Sequence, residues 1–126
     1  TPAEEEVLAS LSGRYRLFIV SNCQDGYIEA FFQAHGLGKY FADFENPGRT
    51  GLPKADNIAL VVERNGLRRP LYIGDTQGDF DAAAKAGVPF LHAAYGFGQI
   101  DRPVPRAETF RDIPSAVAAL EAEAPT

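Results

Sequence analysis

Two carboxylates four residues apart, Asp75 and Asp79, lie in the run Leu71 to Gly87, LYIGDTQGDFDAAAKAG. The apolar stretch Leu71-Tyr72-Ile73 reads as a buried parallel strand, and Gly74 ends it. Asp75 then falls at the strand's carboxyl end, where open α/β sheets bind their ligands. Asp79 falls at the mouth of the following helix, so both carboxylates can converge on one point. Hard oxygens placed this way suit Mg²⁺, which takes few protein carboxylates and keeps several waters. Asp is also a frequent helix cap. For Asp79 alone both readings stand; the pair following a strand favours metal. Two further strand ends carry polar groups. Ser21-Asn22 follows the apolar run Arg16 to Val20 (RLFIV), and Lys54 follows a Gly- and Pro-rich loop. A hydroxyl and an amide can hold phosphoryl oxygens, an ammonium can neutralise their charge, and a carboxylate-bound cation can clamp another oxygen. Together they outline a phosphoryl-transfer site in which no nucleophile is evident.

The elements needed to gather these groups can be read in order along the chain. Thr1-Pro2-Ala3-Glu4 has the form of a helix start, with Val7, Leu8 and Leu11 on one face and Gly13 as the stop. The Arg16 strand follows. Asp25-Gly26 opens a helix with Ile28, Phe31 and Phe32 inward, closed by Gly36. Tyr40 to Phe44 is a short strand, and Asn46 to Pro53 a loop. Lys54 opens a helix with Ile58, Val61 and Val62 at helical spacing, ending by Gly66. The Leu71 strand and its alanine-rich helix come next, then a strand from Pro89 to Ala93 and the glycine loop Tyr95-Gly96-Phe97-Gly98. Residues 99–113 read as an irregular surface connection, and Pro114 to Ala122 as a closing helix. Strand and helix alternate, which predicts a single α/β domain over 1–126 with a Rossmann-like parallel sheet. The strand ends then share one edge.

The order apolar strand-Ser21-Asn22, Lys54, Gly74-Asp75-x-x-x-Asp79 resembles motifs two, three and four of the haloacid dehalogenase superfamily, nearest its phosphoglycolate-phosphatase-like branch. The resemblance covers roughly residues 3–98. It implies a Mg²⁺-dependent phosphatase acting on a small phosphorylated metabolite. Ser21, with Asn22 beside it, would hold the transferring phosphoryl group. Lys54 would steady nucleophile and phosphate charge, and Asp75 would ligate Mg²⁺ directly or through water with Asp79 in support. In many relatives the lysine is followed by proline; here Pro53 precedes Lys54 and Ala55 follows it.

A larger departure is the family's first motif, Asp-x-Asp after an apolar strand, whose first Asp forms the aspartyl-phosphate intermediate. The only Asp-x-Asp here is Asp79-Phe80-Asp81, inside the motif-four helix. The chain therefore reads as a C-terminal part lacking motif one and the substrate-selecting cap, and inactive by itself. The family's sheet order, five-four-one-two-three, puts the motif-one strand in the centre. The Arg16 and Leu71 strands should then flank a slot about 10 Å wide, twice the strand spacing of ~4.8 Å. Bare apolar edges aggregate or recruit a strand. The expectation is extra polypeptide, pairing with another chain, or a rearranged pairing in the slot, and not a well-folded monomer. The rival reading is a non-enzymatic module that keeps a Mg²⁺ and phosphate pocket for association or regulation.

Composition narrows the partners. With 45% apolar residues, the 126-residue chain can build one core. A net charge of −5 argues against nucleic-acid or anionic-membrane surfaces, and no apolar run approaches the ~20 residues of a membrane span. No secretory signal is visible at Thr1, and the lack of methionine suggests a trimmed or partial product. The single Cys23 fits a reducing cytosol and reads as a structural thiol. His35 sits where a helix C-terminus welcomes a cation, and Arg68-Arg69 reads as a helix end. His92 alternates with Leu91 and reads as half-buried. The Gly96-Phe97-Gly98 loop lacks the strand-glycine-helix context of a dinucleotide site. Arg49 and Thr50 could touch substrate or simply be loop polarity.

Overall fold

The computed structural model describes residues 2–22, 26–96 and 98–123. The predicted Thr1 cap, the Asp25 helix opening, Cys23 and Phe97 lie outside them. Chain order is α1 (Pro2–Ser12), β1 (Leu17–Val20), α2 (Tyr27–His35), β2 (Phe41–Glu45), α3 (Pro47–Thr50), α4 (Lys54–Arg64), β3 (Tyr72–Gly74), α5 (Gln77–Ala86), β4 (Phe90–Ala93), β5 (Arg106–Ala107) and α6 (Ile113–Glu123). Single 3₁₀ turns precede β2 and α6. Every strand pairing is parallel, as the alternation of strand and helix requires.

The sheet is split. β1 pairs with β2, β3 with β4 and β4 with β5, and among the described residues no ladder joins β1 to β3. These are the pairs expected on either side of a missing central strand. The contrast in burial has the same origin: the apolar residues of β1 and β3 are only half-buried, whereas all four residues of β4 are buried. Among the described residues no rearranged strand covers the facing edges. A side chain links them instead, the Tyr72 hydroxyl donating to the Val20 carbonyl at 2.9 Å. Helices hold the halves together. α4 packs on β1, β2 and α5, and α5 packs in turn on β3 and β4. Elsewhere Val7, Leu11, Ala107 and Ile113 form a core cluster that gathers Leu17 of β1 and Ile73 of β3.

Several elements differ from their sequence reading. The connection 99–113 contains β5, whose Ala107 is buried, and two residues are too short for any periodicity to show. The loop after β2 contains the helical turn α3, capped by Asn46, whose side chain accepts from Arg49 N. His92 is buried rather than half-buried, because β5 covers the outer edge of β4. Arg68 and Arg69 lie beyond the end of α4 in the connection to β3, where Arg69 Nη2 donates to Glu121 O. His35 does fall in the last turn of α2.

Candidate functional site

The turn from β3 into α5 is built around Asp79. Thr76 caps the helix by accepting from Asp79 N at 3.1 Å, and Asp79 Oδ2 accepts from Thr76 N at 3.2 Å and from Asp75 N at 3.1 Å. This is a capping box, and it satisfies helix donors that would otherwise be orphaned. Asp79 Oδ1 accepts from Lys54 Nζ at 2.6 Å, joining the start of α4 to the start of α5. Asp79 is 7% exposed. Burial alone would raise its pKa, but the Lys54 bond and charge, with the Thr76 bonds, outweigh that and hold it below the ordinary carboxylate value. Gly74 permits this packing: a Cβ there would come within 2.7 Å of Asp79 Oδ2.

The loop before α4 aims Lys54. Thr50 Oγ1 donates to Asn57 Oδ1 at 2.7 Å and accepts from Leu52 N at 3.1 Å, while Asn57 Nδ2 donates to Leu52 O at 3.2 Å. Asn57 is completely buried. Thr50 therefore ties the loop to α4, and with Pro53 preceding it Lys54 still reaches the β3 turn.

Asp75 sits half-buried at the end of β3, and its charge is felt by two tyrosines. Tyr72 has its pKa pushed well above the ordinary phenol value, first by burial and then by the charges of Asp79 and Asp75. Tyr95 is raised by burial and then by Asp75. Tyr72 also brings in β1 through Val20 O, next to Ser21, whose N donates to Glu45 O at 3.2 Å. Ser21 and the exposed Asn22 thus mark the end of β1 on the edge that carries Asp75. Lys54, Asp75 and Asp79 are brought together; Ser21 and Asn22 are placed on the same edge but across the split.

Among the described residues no group of three or more His, Cys, Asp or Glu side chains could enclose a metal. Three of Asp79's roughly four acceptor positions are taken by Lys54, Asp75 N and Thr76 N. The set thus offers one carboxylate ligand, Asp75, with Asp79 anchored behind it. That fits a cation which keeps several waters and takes one or two carboxylates, as Mg²⁺ does.

The sequence reading did not single out Glu45. It is 2% exposed at the end of β2 and is held by Arg64 Nη1 at 2.8 Å and Arg49 Nε at 3.4 Å. Only the tertiary approach of α4 to β2 reveals it.

Comparison with known proteins decides the family. The profile of the haloacid dehalogenase-like hydrolases matches residues 2–93. The chain belongs to that family. It is similar to a phosphoglycolate phosphatase of Mesorhizobium japonicum, 33% identical over 107 residues, 82% of this chain and 44% of that protein. A phosphoglycolate phosphatase of Escherichia coli K12 is 30% identical over 89 residues, 64% of this chain and 34% of the relative. Among solved structures, a haloacid dehalogenase superfamily hydrolase (subfamily IA, variant 1) from Geobacter sulfurreducens aligns with a TM-score of 0.76 at 26% identity, over 90% of this chain and 53% of the other. A haloacid dehalogenase-like protein from Streptococcus pneumoniae shares the fold, with a TM-score of 0.79 at 21% identity, over 93% of this chain and 59% of the other. The chain spans less than half the length of these curated relatives. No helix among its described residues is long and apolar enough to cross a membrane.

Proposed function

We propose that this haloacid dehalogenase-like domain supplies the phosphate- and Mg²⁺-holding part of a phosphomonoesterase acting on a small phosphorylated metabolite. The observation that carries the reading is the 2.6 Å Lys54–Asp79 bond, which fixes an ammonium beside the Asp75 turn at the carboxyl ends of the strands. Ser21 and Asn22 would donate to the phosphoryl oxygens from β1. Lys54 would offset their charge while Asp79 keeps its ammonium aimed. Asp75 would hold Mg²⁺, which when bound supplies positive charge to a phosphoryl oxygen. The nucleophilic aspartate would enter on a strand between β1 and β3 that these 126 residues do not contribute; it would displace the substrate's alcohol from phosphorus, and water would then release phosphate from the resulting aspartyl phosphate. The phosphoglycolate phosphatases among the relatives make a small phosphorylated carboxylic acid the first substrate to try.

The test is hydrolysis of p-nitrophenyl phosphate and phosphoglycolate by the native full-length protein with and without Mg²⁺. Turnover that needs Mg²⁺ and is lost in Lys54→Ala supports the reading; metal-independent turnover defeats it. A second reading rests on the lack of an Asp-x-Asp after any strand: a non-enzymatic module that binds Mg²⁺ and phosphate. Calorimetric binding of both by a full-length protein without turnover would favour it.

A further inference from the structure

Among the described residues five glycines adopt positive φ, and Gly74, Gly96 and Gly98 are not among them. Backbone conformation therefore does not explain Gly96 and Gly98. Close approach does. A Cβ on Gly96 would run into the Cβ and carboxyl group of Asp75, and one on Gly98 would meet the Asp75 carbonyl oxygen and lie 2.7 Å from Thr76 Cα. The same carbonyl oxygen accepts from His92 Nε2 at 3.1 Å, across 17 residues of sequence. His92 is 6% exposed, its backbone N donates to Pro105 O, and its ring stacks at 21° on Phe90. Phe90 is fixed in turn by an edge contact with Phe80 of α5, centroids 5.4 Å apart.

Asp75 is thus held at three points. Asp79 Oδ2 holds its N–H, His92 holds its carbonyl, and Gly96 bears on its side chain. We infer that His92 and the glycines after β4 are positioning residues for Asp75, fixing the direction in which its carboxylate meets the cation. The inference rests on the Mg²⁺ reading above and extends it to residues that touch neither cation nor substrate. Partners that orient a metal ligand are typically worth about 10–100-fold in metal affinity or activity.

The test is calorimetric titration of Mg²⁺ into the native full-length protein, with the melting temperature without metal recorded alongside. Gly96→Ala and His92→Phe are expected to weaken Mg²⁺ binding about 10–100-fold. His92→Gln, which can present an amide N–H to the same carbonyl, should recover most of that loss. Mg²⁺ affinity is the deciding readout, since a purely structural role would lower the melting temperature and leave it unchanged. Should His92→Phe not fold, Gly96→Ala carries the test alone. Wild-type affinity in both variants, with binding lost in Asp75→Asn, overturns the positioning role only. Wild-type affinity in Asp75→Asn as well overturns the Mg²⁺ reading and this inference with it.

Discussion

At the scale of single residues, Asp75 and Asp79 have unequal surroundings and should respond differently to substitution. Asp79 joins a helix cap to a cation, so Asp79→Ala removes both the acceptor for two backbone N–H groups and the partner of Lys54. We expect a loss of about 1–3 kcal/mol in urea unfolding. Asp75→Asn should remove Mg²⁺-dependent turnover from the full-length protein. Mg²⁺ dependence intact in both variants would leave Asp79 a cap and Asp75 without a metal role. In the structure Asp79 does two jobs with two oxygens: Oδ2 accepts from the Asp75 and Thr76 N–H groups at the helix start, and Oδ1 pairs with Lys54.

At the scale of elements, the junction of β2 with α4 depends on charge. Arg64 donates from Nε to Asp43 at 2.8 Å and from Nη1 to the buried Glu45 at 2.8 Å. Arg64→Met would leave the Glu45 carboxylate with the Asn46 N–H and the 3.4 Å Arg49 contact, at an expected cost of about 1–3 kcal/mol in chemical denaturation. Asp43 adds a pH dependence. Burial raises its pKa, but bonds from Asn65, Phe44 N and Arg64 and the Arg64 charge outweigh burial and leave it below the ordinary value of 3.8. A depressed carboxylate contributes stability that is fully present above its unfolded pKa and lost as pH falls through the folded one. Stability measured downward from pH 5 should therefore fall less steeply in Asp43→Asn than in wild type. Identical slopes would show that the Arg64 pairing is solvent-screened to nothing.

At the scale of the whole molecule, the split between β1 and β3 governs behaviour. Half-buried apolar strands with unpaired facing edges invite association. We expect the 126-residue chain alone to show no turnover of p-nitrophenyl phosphate and to self-associate in sedimentation velocity. A stable monomer over a range of concentrations would show that the helices alone protect those edges. Tyr72→Phe removes a hydrogen bond that links the two strands directly, from the hydroxyl to Val20 O, and should cost about 0.5–1.5 kcal/mol in a chain whose slot is unfilled. No cost would mean that helix packing and the core cluster around Leu11 hold the halves in place without it.

The alternation of strand and helix, the parallel sheet, Ser21 and Asp75 at strand ends and Lys54 opening a helix were all legible in the sequence. Apolar runs, caps and glycine stops act over a few residues, so they survive in a linear reading. It also shows no Asp-x-Asp after an apolar strand in these 126 residues. What it could not determine depends on approach between distant segments. β5 is two residues long and owes its existence to the edge of β4. Glu45 is buried where Arg64 arrives from α4, and His92 where β5 pairs along the edge of β4. Gly96 and Gly98 read as an ordinary loop until Asp75, some twenty residues earlier in the chain, is seen against them. Local chemistry placed the functional groups on the chain; only packing decided which oxygen of Asp79 faces Lys54 and what holds Asp75 in place.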